Sequence, residues 1–113
     1  MALQKAISLD NGIVLNYHRV LGLNIITNKV NIIEVNSYIN EDERNKEKRY
    51  QELQKKKQDG EELTEEEQEE LAKGINVLIE ADYVSTDYNE NMTIEDAYDY
   101  LKTTDKYKDA IDV

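Results

Sequence analysis

The chain has no cysteine, which excludes a disulfide framework and thiolate chemistry and suits a protein made in a reducing cytoplasm. No run of 18 apolar residues occurs, so a membrane-spanning helix is not expected. The start, MALQKAISLDNG, lacks the basic-then-apolar order of a secretory signal. Only four glycines are present, Gly12, Gly22, Gly60 and Gly74, and each stands alone, so there is no glycine-rich phosphate loop. The single histidine, His18, cannot form a catalytic dyad without a nucleophile and an orienting partner. Phe and Trp are missing, and eight tyrosines supply all the aromatic rings.

What is plentiful is acid. The 113 residues, enough for one domain with a small core, carry a formal net charge of −11. Residues 1–40 hold two acids and three bases, and residues 41–58 hold five acids and seven bases. Residues 59–73 then hold eight acids and one base, and 80–113 hold ten acids and three bases. No segment joins a basic stripe to stacking aromatics, so neither nucleic acid nor an anionic membrane is an expected partner. An acidic surface of this kind most simply confers solubility.

The N-terminal third alternates as strands do. Ile13, Leu15, Tyr17, Leu21, Leu23 and Ile25 fall on one face, while Asn16, His18 and Asn24 fall on the other, which reads as the wet one. Gly22 lies mid-strand and marks a bulge or a close approach. A three-residue loop Asp10–Gly12 pairs Leu9 with Ile13 and Ile7 with Leu15, with Gly12 taking the left-handed position. By the same logic a loop Asn28–Val30 matches Ile25 with Ile33 and Leu23 with Val35. A fourth strand is expected over about Ile75–Ser85, with Tyr83 inward. Thr93 then caps a helix whose Ile94, Ala97, Tyr98 and Leu101 form one stripe. A short last turn offers Tyr107, Ala110 and Ile111 for docking.

Residues 41–74 interrupt this pattern between the third and fourth strands. They contain almost no apolar residues, but Thr64 and Glu67 form a capping box, Gly74 stands as a C-cap, and Asp59-Gly60 marks a turn. They read as an inserted helical hairpin projecting from the sheet, with arms of unlike charge. The expected fold class is α+β: a small antiparallel β-sheet of about four strands in a meander, a C-terminal helix on one face, and the hairpin.

Candidate chemistry is sparse. In DYNENMTIEDAY, Asp87, Asn89, Asn91, Thr93 and Glu95 take calcium-loop positions, but Met92 and Tyr98 stand where the loop needs Gly and Glu, so no metal is expected. Glu95 and Asp99 share a helix flank opposite Tyr98 and Leu101, without a pocket to shift their titration. No catalytic residue and no cofactor are expected. Tyr17, Tyr83 and Tyr98 read as core, while Tyr38, Tyr88, Tyr100 and Tyr107 read as partly exposed anchors for a partner.

Two passages, LQKAISLDNGIVLNYHRV and TIEDAYDYLKTTDKYKDAIDV, resemble small proteins encoded in the tail and baseplate region of tailed phages and prophages of Gram-positive bacteria. The resemblance rests on Asn11-Gly12, Tyr17-His18-Arg19 and the Ala97–Lys102 helix. It covers roughly 70 residues at the two ends, and many such proteins have only a short linker at 41–73. It implies a non-enzymatic structural or assembly role through other phage tail or baseplate proteins, with a homo-oligomer also open, in the virion or in the host cytoplasm during assembly. It transfers no active-site residues. The rival expectation is an acidic phage accessory protein that inhibits a host factor by mimicking nucleic acid through residues 59–70 and 80–99.

Overall fold

The computed structural model describes all 113 residues. In chain order they form β1 Leu3–Ser8, β2 Val14–Ile26, β3 Val30–Tyr38, α1 Glu41–Gln58, α2 Glu65–Lys73, β4 Ile79–Asp87, α3 Ile94–Leu101 and β5 Ile111–Asp112. All five strands join one antiparallel sheet in the order β4-β3-β2-β1-β5, and the fold is α+β. The meander gains a strand beyond the expected four. The terminal Ile111–Asp112 pairs with β1, a contact too short and too distant in sequence to leave a periodic trace.

The first hairpin closes as its turn residues require. The Leu9 N–H donates to the Ile13 carbonyl at 2.7 Å, Ile7 pairs with Leu15, and Gly12 sits at φ +86°, where a Cβ is disfavoured. The second hairpin's loop lies one residue earlier than expected, which moves each cross-strand partner by two. Its loop is Thr27–Lys29, Ile26 faces Val30 and Leu23 faces Ile33. The left-handed residue is Asn28, at φ 60°, which its short polar side chain tolerates.

Gly22 does mark a bulge. Val20 pairs with Val35 and Gly22 with Glu34, leaving Leu21 extra. A Cβ at Gly22 would meet only Glu34 Oε2 at 3.8 Å, so backbone crowding is not the reason for the glycine. The extra residue breaks the period-2 pattern. Hence Leu21, expected inside, is 49 % exposed, while His18 and Val20 are buried.

β4 begins at Ile79, later than Ile75, for want of a partner. Ile79 pairs with Tyr38, and beyond Tyr38 the chain turns at Asn40, whose side chain caps α1 through the Glu43 N–H. α3 is set by a capping box between Thr93 and Asp96 and lies against β2. Its Ala97, Tyr98 and Leu101 join Leu3, Val20, Ile33, Val35 and Tyr107 in the main core.

The α1–α2 hairpin is corrected at its root: it does not merely project. Glu47 of α1 is buried; its Oε1 accepts from the Tyr38 hydroxyl at 2.7 Å and from Arg44 at 2.6 Å, with Arg19 at 3.9 Å. Farther along, Arg49 pairs with Glu70, and Lys56 with Glu67, so the arms do meet through unlike charges. The molecule measures 48 × 36 × 23 Å, and its radius of gyration, 16.6 Å, exceeds the roughly 13 Å of a compact chain this long.

Candidate functional site

Three places gather polar or unpartnered groups: a buried network under α3, the tyrosine positions, and the free edge of β4. The first is sealed. His18 Nε2 lies 2.8 Å from the Lys5 carbonyl, which can only accept, so Nε2 carries the proton and Nδ1 accepts from the Ser37 hydroxyl at 2.7 Å. The exposed histidine read from strand alternation is thus a buried one, roofed edge-on by the Tyr107 ring at 5.4 Å. Burial lowers its pKa, the Lys5 carbonyl offsets part of this, and the Lys106 and Lys5 charges add to the lowering. A Ser–His pair at this spacing resembles a nucleophile and its base, but both residues lie beneath the core side chains, where no substrate reaches them.

The network continues through Asp82. Its carboxylate accepts from the Tyr107 hydroxyl at 3.0 Å, from Lys106 at 3.1 Å and from the Tyr83 N–H at 3.0 Å. Burial alone would raise the Asp82 pKa, yet the donors from Lys106 and Tyr107 outweigh it and hold the carboxyl below its ordinary range. Burial and the neighbouring Asp82 charge push the Tyr107 phenol far up. Every buried side-chain nitrogen and oxygen has a hydrogen-bond partner. No group of three or more His, Cys, Asp or Glu side chains converges as metal ligands would.

The four tyrosines expected to anchor a partner divide into pairs. Tyr38 and Tyr107 are fully buried, at 0 % exposure, and this corrects the reading of them as surface anchors. Tyr38 is covered where α1 docks and donates to Glu47; Tyr107 is drawn inward by Asp82 and His18. Tyr88 and Tyr100 are half-buried and come together. With Met92 and Val30 they line an open depression of about 630 Å³ at the far end of β4. Tyr83, expected inside, is 65 % exposed, because the even residues Asp82, Val84 and Thr86 pair with β3 residues on the α3 side.

The free edge of β4 leaves a long run of backbone open. β4 is flanked by β3 on one side only. The Tyr83 N–H bonds to its neighbour's carboxylate, which places it on the outer side, and strand alternation puts the N–H groups of Ala81 and Ser85 there too. Ahead of the strand, Ile75–Leu78 runs outside any regular element, and none of its backbone groups makes a hydrogen bond within the chain. Ile75 and Leu78 are exposed apolar side chains, and Ile75 borders a cleft of about 570 Å³ floored by Tyr50 and Leu53 of α1. Alternation could not reveal this segment, because the same pattern reads as ordinary strand.

Searches against protein-family models, curated proteins and solved structures find no match to the chain.

Proposed function

We propose that this chain is a non-enzymatic contact module of a tailed phage, a tail- or baseplate-associated structural or assembly protein, whose working surface is the free edge of β4. One observation carries the reading: nine residues of open edge strand follow four residues, Ile75–Leu78, that have no backbone partner. An edge of that length is a template for another strand unless it is covered, and adding a strand is a common way to recognise an extended segment. The sheet, clamped by α3 on one face and by the root of α1 on the other, acts as a rigid platform. The Tyr88–Tyr100 depression and the exposed Tyr83 supply apolar contact beside the backbone pairing.

The phage context comes from the sequence resemblance at the two ends. The nucleic-acid-mimic alternative draws less support, since Glu67 and Glu70 of the most acidic segment are matched by Arg49 and Lys56 across the hairpin. Peptide mass spectrometry of purified particles, from the phage or induced prophage encoding the chain, tests the reading. The protein is expected at a stoichiometric copy number. Abundance in the infected cell with absence from particles and from assembly intermediates would overturn it.

A further inference from the structure

The free edge also specifies what should sit on it, and this step rests on the contact-module reading above. We infer that β4 accepts an extended segment of another protein in which cationic residues alternate with apolar ones. Because the outward N–H groups belong to Ala81, Tyr83 and Ser85, an added strand runs alongside β4 with its side chains divided between the two faces of the sheet. On the α3 side its neighbours are Glu80, Asp82, Val84 and Thr86; on the opposite side they are Ala81, Tyr83 and Ser85. Between Gly74 and Ile94 the chain has four acids, Glu80, Asp82, Asp87 and Glu90, and no base. Glu80 is exposed and makes no salt bridge, so it is free to meet a cation. Tyr83 presents a largely bare ring to an apolar side chain on the other face.

The same geometry disfavours a second copy of the chain as the occupant. Pairing β4 with itself about Ala81 sets Glu80 directly opposite Asp82 twice. Centring the pair between Ala81 and Tyr83 opposes Asp82 with itself, and centring it on Tyr83 makes the two Asp82 residues diagonal neighbours. Like charges opposed across strands destabilise pairing. Asp82 meanwhile guards the free edge: its carboxylate occupies the Tyr83 N–H at 3.0 Å, and an incoming carbonyl takes that place.

The test uses the full chain and three nine-residue peptides: one alternating Lys and Val, one alternating Glu and Val, and the Lys–Val peptide N-methylated on alternate residues. Fluorescence anisotropy reads the affinity, and amide NMR shifts read the location. The unmodified Lys–Val peptide is expected to bind and to shift the amides of Ala81, Tyr83 and Ser85. The N-methylated peptide is expected to bind at least about tenfold more weakly, the scale of losing a few net backbone hydrogen bonds, and the acidic peptide severalfold more weakly through like charge beside Glu80.

Ser85→Pro removes an outward N–H without touching the β3 ladder, and it is expected to abolish binding while the β3–β4 amide shifts persist. Glu80→Lys is expected to weaken it severalfold. Equal binding by the N-methylated peptide, or binding unchanged in Ser85→Pro, would overturn the proposal. So would a concentration-dependent dimer in sedimentation that disappears in Ser85→Pro, since a second copy would then own the edge. Failure here with the chain still stoichiometric in particles would sink the edge assignment alone; absence from particles and from assembly intermediates would sink the phage reading alone.

Discussion

His18 illustrates how one buried side chain fixes a titration. Its Nε2–H is committed to the Lys5 carbonyl and its Nδ1 to the Ser37 hydroxyl, and the groups facing it are Tyr107, Lys106 and Lys5. None offers a negative charge, so the imidazole stays neutral and its folded pKa lies below the ordinary 6.5. On acidification the unfolded chain therefore takes up this proton first. The stability due to His18 is complete above about pH 6.5 and is lost as pH falls toward the lower folded value. Asp82 and Glu67, whose carboxyls lie below their ordinary values, stabilise the fold at neutral pH and lose that contribution only at more acid pH. Urea unfolding at pH 7.5 and pH 5 should show a drop in stability for the wild type and a smaller drop for His18→Gln, which keeps a donor toward Lys5. Equal drops in both proteins would contradict the assignment.

At the scale of elements, the bulge takes Leu21 out of the inward position that strand alternation gives it, whereas Leu101 keeps the place its helical stripe predicts. Leu21 is half exposed, whereas Leu101 on α3 is fully buried within the core. Leu21→Ser should change stability by less than about 1 kcal/mol, as surface substitutions do. Leu101→Ala should cost about 2–5 kcal/mol through lost burial and the cavity left behind. Chemical denaturation of both variants checks the contrast, and similar losses would place Leu21 in the core after all.

Elements were legible wherever local chemistry set them. The Asp10–Gly12 loop, the capping box at Thr64, the N-cap at Thr93 and the C-cap at Gly74 all stand where turn and cap residues put them. The misread parts depended on distant partners. Gly22 signalled a bulge, but not that the bulge would reverse the faces of the following residues. Tyr38 looked free until Glu47, nine residues on, folded back to accept its hydroxyl. Nothing near His18 announced that Tyr107 would cover it. The β4 edge was hidden for a related reason: Ile75–Leu78 has strand chemistry, and only the turn of the chain after Tyr38 denies it a partner.

The whole molecule divides into a scaffold and an edge. The core under α3 and the Glu47 joint under α1 have their polar groups satisfied internally, and the acidic arm of the hairpin is partly matched by its basic partner. The longest run left without a strand beside it inside the chain is the backbone from Ile75 to Leu78 together with the outer side of β4. Ser85→Pro changes that edge and little else, so its effect in the assembled particle isolates the surface claimed to do the work. The most direct measurement is therefore the copy number of the chain, by quantitative mass spectrometry, in particles from phage carrying Ser85→Pro and from wild type, with the soluble folded protein assayed in parallel. The variant is expected to be folded and abundant in the cell but depleted at least about tenfold from particles. Incorporation at the wild-type copy number would contradict it.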